Sequence, residues 1–307
     1  MERKIRLLYK RISIICFIFF LALFLSSCTA TRHTVQKTFL PLLNTSVDDL
    51  VDELLKTKNF AFAKEGLPGA LLVITGLTEL APEDYDLLAE TSFLYCAYAL
   101  MVEDENREYA ISLFKVGTDY GMRALKVNNP KFRKEVESGT KIPDAVKFLT
   151  KDDLKGLTWY GINLAKRVTL QLADPDEVID IQDAVAAGRR AIEMDPRYAW
   201  GASWNIIGIY YAIIPAMCGL GGGAESSREA FANGNKVENG EFGLIDVFIA
   251  RYLCPLIKDT DLFDKLLNRV IEMDSCKMRG GICLINELAK QKARFSLENK
   301  GKYFDVY

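Results

Sequence analysis

The chain is 307 residues long, half of them hydrophobic and about a quarter charged, which is the balance of a folded globular protein and excludes a disordered tail. Lysine and arginine (39) nearly balance aspartate and glutamate (41), but Arg3, Lys4, Arg6, Lys10 and Arg11 crowd the start, and without them and Glu2 the formal charge falls from −2 to −6. A mildly acidic body with no basic stripe argues against nucleic acid, and one histidine, His33, leaves no imidazole for a Ser-His-Asp, Cys-His or multi-histidine zinc site in the folded part.

In chain order, residues 2–11 are basic, and Ile12 to Leu25 is an apolar run interrupted only by Ser13 and Cys16. That is the layout of a signal peptide, too short for a comfortable membrane span. Leu25-Ser26-Ser27-Cys28 follows at once and resembles the bacterial lipobox. Residues 1–27 are therefore expected to be a lipoprotein signal peptide, Cys28 the lipid-attachment site, and residues 28–45 the lipidated cysteine with its tether. An uncleaved anchor ending in an incidental cysteine is the alternative. By the same resemblance Thr29, where aspartate would retain a lipoprotein at the inner membrane, implies the periplasmic side of the outer membrane. Export places Cys96, Cys218, Cys254, Cys276 and Cys283 where disulfides can form. No CxxC occurs, so neither a metal cluster nor a thioredoxin-like centre is expected. Most of the five are read as small buried apolar residues, with one bridge among Cys254, Cys276 and Cys283 as the alternative.

Residues 46–307 read as a single α-helical domain. Apolar residues recur at three- and four-residue intervals, as in Val47, Leu50, Val51, Leu54 and Leu55, with no stretch of strict alternation for a half-buried strand. Breaks are expected at Gly66-Leu67-Pro68-Gly69, Ala81-Pro82, Asn128-Asn129-Pro130, Ile142-Pro143, Asp174-Pro175, Asp195-Pro196, Gly219 to Gly223 and Gly280-Gly281. Aligning the breaks exposes a repeat with spacings of four, three and five: Ala70, Ile74, Leu77, Pro82; Thr118, Met122, Leu125, Pro130; Ala184, Gly188, Ala191, Pro196; Ser227, Phe231, Gly234, Asn239; and Phe263, Leu267, Val270, Ser275. This is the pattern of the second helix of a tetratricopeptide repeat, in which a small residue lets helices approach and proline closes the unit. Trp204, Ile207, Gly208 and Tyr211 reproduce the first-helix pattern, and Leu157, Tyr160, Gly161 and Leu164 repeat it more weakly. Unit ends lie 48, 66, 43 and 36 residues apart, so the repeats are degenerate and carry insertions. The expected fold is all-α, with tetratricopeptide-like helix pairs packed into one compact helical domain.

A lipobox followed by Phe60-Ala61-Phe62-Ala63-Lys64-Glu65-Gly66-Leu67-Pro68-Gly69-Ala70-Leu71-Leu72, by Pro82-Glu83-Asp84-Tyr85-Asp86-Leu87-Leu88-Ala89 and by Tyr95-Cys96-Ala97-Tyr98-Ala99 resembles the T component of tripartite ATP-independent periplasmic (TRAP) transporters. Leu220-Gly221-Gly222-Gly223 leading to Ala230-Phe231 is similar to that family's Gly-Gly hinge and Ala-Phe helix. The resemblance covers residues 46–307. It implies a homotrimeric helical lipoprotein with a pore or cleft through each protomer, docked by a periplasmic solute-binding protein that passes ligand onward. It implies no cofactor. Departures are local: Gly188 stands where a bulky residue is usual, and Asn239 and Ser275 stand where proline would close the unit.

In a tetratricopeptide unit, positions two, five, nine and twelve of the first helix face inward. With Trp204 at position four these are Ala202, Asn205, Ile209 and Ala212, and with Leu157 at four they are Lys155, Thr158, Ile162 and Ala165. Asn205 is then a polar group on an apolar face that must be hydrogen-bonded if buried, by the protein or by a ligand. Trp159, Tyr160, Trp200, Trp204, Tyr210 and Tyr211 supply aromatic surface for an apolar channel or for the core between helices. The candidate pore or ligand-facing residues are Trp159, Tyr160, Ile162, Trp204, Asn205 and Ile209. Pro215 should end or kink its helix. Gly219 to Gly223 lacks the Gly-Lys-Ser/Thr of a phosphate cradle, and Asp48-Asp49 and Asp152-Asp153 read as helix caps. No carboxylate stands out from an apolar context as a general acid would. The sequence is thus read as a non-enzymatic component of solute uptake, held at a membrane by its lipid and working with a solute-binding protein. An envelope-assembly scaffold that binds peptide segments of other proteins is the alternative.

Overall fold

Helical periodicity becomes helix in a computed structural model that describes residues 45, 47–214 and 221–304, and no strand occurs among these residues. By internal contacts the chain divides into Met1–Leu50 and Val51–Tyr307, and the helices named below belong to the second unit. The signal segment, Cys28, the tether up to residue 44, Pro215 and Cys218 lie outside the described residues.

The principal helices are α1 (Phe60–Leu80), α2 (Tyr85–Val102), α3 (Arg107–Asn128), α4 (Pro130–Glu137), α5 (Leu154–Thr169), α6 (Ile181–Met194), α7 (Ser203–Ile213), α8 (Ala224–Val237), α9 (Gly243–Phe248), α10 (Thr260–Glu272) and α11 (Leu284–Glu298). Local chemistry sets many starts. Asn59, Asp84, Asn106, Asn129 and Asp259 each accept a hydrogen bond from the backbone N–H three residues on, filling a donor the first turn leaves open. Asp153 closes a capping box with Thr150 and also accepts from the side chains of Asn128 and Asn129.

One expected break is absent. α1 runs through Pro68 without interruption, because Ala63, Leu67, Leu71, Ile74 and Thr78 keep one buried stripe in register across the proline. Packing of that stripe against α2 outweighs the helix bond that proline removes. The opposite side of α1 leaves Phe62, Leu72, Val73 and Leu80 exposed.

The five copies of the second-helix pattern fall on α1, α3, α6, α8 and α10, and the two first-helix copies on α5 and α7. Helices therefore alternate: α2 pairs with α3, α5 with α6, α7 with α8, and α9 with α10. The 66-residue interval is explained by α4 and the short turns between Ile142 and Asp153, inserted between the α2/α3 and α5/α6 pairs. Gly208 brings α7 onto α8, since a Cβ there would lie 2.6 Å from the Phe231 ring. Gly188, a departure from the repeat, makes room for Ile206 of the following unit, whose side chain would stand 3.3 Å from an added Cβ. Where proline is missing, Asn239 (φ 52°) and Gly240 (φ 78°) end α8 by left-handed backbone instead.

Of the two readings of the cysteines, the structure takes the bridge: Cys276 and Cys283 form a disulfide across a short glycine-containing turn, while Cys96 and Cys254 are free and buried. Gly222 is packed against the end of α7, where a Cβ would meet the Ile214 carbonyl oxygen at 2.0 Å.

Asp183, in the first turn of α6, is half-buried beside Asp180, and burial together with that like charge pushes its carboxyl up to about 6. A carboxyl raised in the folded state binds its proton more tightly there than in the unfolded chain, so it costs stability above pH 6 and the cost fades as pH falls toward 4. After allowance for solvent screening of a half-exposed group, Asp183→Asn is expected to gain about 1 kcal/mol at pH 7.5, a melting-temperature rise of roughly 2–4 °C. At pH 4.5 the gain should shrink to about a third of that, and at pH 3 to near zero, which thermal melts across this range would check.

Candidate functional site

The first helices of successive pairs turn their inward faces toward one another and line a cavity of about 90 Å³, partly open to solvent. Phe93, Cys96, Ala97, Leu100 and Met101 of α2 reach it at helical spacing, and α5, α7, α9, α11 and, from outside these helices, Leu55, Trp200, Ala202 and Phe242 supply the remaining walls. Apart from Asn205, Lys166, Thr169 and the Cys96 thiol, the lining side chains are apolar or aromatic. Burial pushes the Cys96 thiol up to about 12, so it behaves as a small apolar group.

The structure brings four of the six sequence candidates together here: Trp159 and Ile162 from α5, Asn205 and Ile209 from α7. Trp159 packs on Phe93 with ring centroids 4.5 Å apart. Asn205 is 6% exposed, and its Oδ1 has no hydrogen-bond partner among the described residues. The other two candidates face away. Tyr160 is buried against α3, where Gly121 gives its backbone room, and Trp204 packs on Gly234 of α8 while its indole N–H donates to the Pro196 carbonyl at 3.2 Å. Both sit on the side of the first helix that meets a second helix, which is the side the repeat reserves for interhelix packing.

An unpaired buried amide oxygen costs about 1–3 kcal/mol relative to a satisfied or apolar group. Asn205→Leu is therefore expected to raise the melting temperature of the empty protein by a few degrees while weakening any ligand that uses the amide, measurable by a thermal melt with and without ligand.

Two features escape sequence reasoning. Trp200 reaches the cavity from a strained turn: Ala199 (φ 46°), Trp200 (φ 58°) and Gly201 (φ 76°) are all left-handed, a run that two non-glycine residues adopt only at a cost of about 1–2 kcal/mol each. The turn tilts the Trp200 ring toward Phe242, centroid to centroid 6.4 Å. The second feature is a buried charge cluster at the cavity wall. Glu103, which caps α2, meets Lys166 Nζ of α5 at 2.9 Å and Lys292 Nζ of α11 at 2.5 Å. Arg251, on a π-helical turn (Ile249–Leu253) after α9, grips Asp104 through both guanidinium nitrogens at 2.9 Å, and Lys292 lies 3.3 Å from the same carboxylate. Glu103, Lys166 and Lys292 are each less than a tenth exposed.

Glu103 is a buried carboxylate that the sequence did not single out, but it does not have the character of a general acid. Burial pushes the Glu103 carboxyl up, but the ammonium groups of Lys166 and Lys292 outweigh it and hold the group below the usual range. Asp104, partly buried, is held at about 2 by Lys292 and Arg251. A general acid needs the opposite shift. The cluster fastens α2, α5, α11 and the turn after α9 around one end of the cavity.

Alternating helices whose first members line an apolar, partly open cavity define an all-α helix-pair array. The chain matches the TRAP transporter T-component family over residues 57–304 and belongs to it. A relative of similar size, an uncharacterized protein of Treponema pallidum (strain Nichols), is 26% identical over 292 residues, spanning 86% of this chain and 89% of the relative. Membership makes the protein an accessory component of a TRAP transport system of the bacterial envelope, a family of transporter parts rather than of enzymes.

Proposed function

We propose that this protein is a non-enzymatic, lipid-anchored T component that receives ligand from a periplasmic solute-binding protein and holds it in its central cavity on the way to the transporter. The observation that carries this reading is the cavity itself: a largely apolar chamber lined in part by Asn205, whose buried amide oxygen has no hydrogen-bond partner among the described residues. A scaffold for peptide segments would present its concave face as an open groove, whereas here α9 and α11 cover it. Anchoring is by Cys28, on the periplasmic side of the outer membrane. The working unit is a homotrimer, a reading supported by the apolar face of α1 with Phe62, Leu72, Val73 and Leu80 exposed.

Sedimentation velocity of the unlipidated chain from Thr29, alone and titrated with the solute-binding protein encoded beside it, tests this. A trimer that gains about one partner per protomer is the expected result. A monomer that ignores the partner at tens of micromolar, weak even for a transient complex, would contradict it.

A further inference from the structure

The turn that carries Trp200 is fixed at both ends and strained between them. On the α6 side the Arg197 N–H donates to Asp195 Oδ1 at 2.9 Å, and the Trp204 indole N–H holds the Pro196 carbonyl at 3.2 Å. On the α7 side Gly201 is packed so closely that an added Cβ would lie 2.9 Å from the Val237 side chain, and the Ala202 N–H donates to the Ala199 carbonyl at 3.0 Å. Between these points Ala199 and Trp200 are left-handed, a region that a Cβ disfavours and that Gly201 adopts freely. This backbone sets one ring at the cavity. Trp200 and Phe242 stand just before α7 and α9, Leu284 begins α11, and all three line the chamber. Of the aromatic residues around it, Phe93, Trp159, Phe242 and Phe248 are buried, whereas Trp200 is half-exposed. Strained backbone of this kind persists only where its surroundings hold it. Return of Ala199 and Trp200 to right-handed backbone would relieve the strain and withdraw the ring, at the loss of its packing on Phe242. The two effects oppose each other, which places the two states of the turn close in energy.

We propose that Trp200 is the gate of the cavity, its ring blocking passage while Ala199 and Trp200 are left-handed and clearing the way when the turn relaxes. The inference rests on the reading of the cavity as a ligand site and adds the residue that admits ligand and retains it.

Cys96 is a reporter inside the chamber, because it is a free thiol, lines the cavity and is 1% exposed. The test uses the chain from Thr29, which contains the whole of the unit 51–307 with its own core. With Cys218→Ser and Cys254→Ala and the Cys276–Cys283 bridge intact, Cys96 is its single free thiol. Methyl methanethiosulfonate is added in excess at pH 7.5, and labelling of Cys96 is followed by mass spectrometry. Trp200→Ala is expected to speed labelling at least about tenfold. Ala199→Gly, which removes the strain of the closed turn and keeps the ring, is expected to slow it about fivefold. Gly66→Ala, a stabilising change on the outer face of α1, is expected to leave the rate unchanged, since access comes by local motion of the turn and not by unfolding. Labelling that Trp200→Ala does not alter, a wild-type thiol that is never labelled, or labelling that Gly66→Ala slows as much as Ala199→Gly does would each overturn the gate. A rate that rises with Trp200→Ala yet ignores Ala199→Gly would make the ring a fixed wall and overturn its movement. The comparison of Ala199→Gly with Gly66→Ala decides the matter should Trp200→Ala fail to fold. All of these outcomes leave the cavity as a ligand site, which titration with the partner tests separately.

Discussion

Replacing Glu103 by glutamine is expected to lower the stability of the protein by about 3–5 kcal/mol, a fall in melting temperature of roughly 10 °C. The native carboxylate is 6% exposed and lies between Lys166 at 2.9 Å and Lys292 at 2.5 Å. Glutamine keeps the shape and one acceptor but leaves three buried cations against Asp104 alone. The large cost comes from those stranded charges, since an intact buried pair contributes little net stability over an apolar substitute. A matched control is Glu105→Gln two residues on, whose side chain is 65% exposed although it pairs with Lys64 at 2.5 Å. That change should cost within about 1 kcal/mol. Thermal melts of the two variants measure the difference. If Glu103→Gln and Glu105→Gln melt together, the cluster does not hold the end of the cavity.

The second large effect is steric. Gly208→Ala is expected to cost about 2–3 kcal/mol, because the new Cβ would lie 2.6–2.8 Å from three atoms of the Phe231 ring, and that ring is only 1% exposed and has nowhere to turn. Gly66→Ala, in the exposed part of α1 with nothing within 4 Å of the added methyl, should instead gain about 0.5–1 kcal/mol from helix propensity. Opposite signs for one chemical change are what a helix-pair array requires: glycine is needed where a first helix crosses its second and is merely tolerated on the outer face. Denaturant unfolding of the two variants checks both signs at once.

These two residues also mark what the sequence could and could not tell. Gly208 was legible because it sits four residues after Trp204 in a repeating pattern, and pattern reports the local period and the face that packs. The same logic placed Asn205, Ile209 and Ile162 on the inward face, where they line the cavity. It failed for Tyr160 and Trp204, since aromatic residues clustered in sequence give no sign of which helix face they occupy, and these two belong to the face that meets α3 and α8. Glu103 was invisible for a different reason. In the run Glu103-Asp104-Glu105 it looks like a solvated helix end, and its partners Lys166 and Lys292 stand 63 and 189 residues away. Only the tertiary fold brings them together. Trp200 was noticed as an aromatic, but the left-handed turn that aims it into the cavity has no signature in two residues, Ala199 and Trp200, that ordinarily avoid that backbone region. The unbroken passage of α1 through Pro68 shows the converse, a strong local signal overruled by a buried stripe that continues past it.

The central claim is that ligand arrives in this cavity from the partner protein, and a transfer measurement tests it most directly. The solute-binding protein, with its own tryptophans replaced and loaded with a quenching ligand, would be mixed rapidly with the chain from Thr29 while the fluorescence of Trp159 and Trp200 is followed. Quenching that appears with the loaded partner, is absent with the empty one and is lost when Ile209→Trp fills the cavity is the predicted result. A loaded partner that docks yet leaves the fluorescence unchanged would contradict the account.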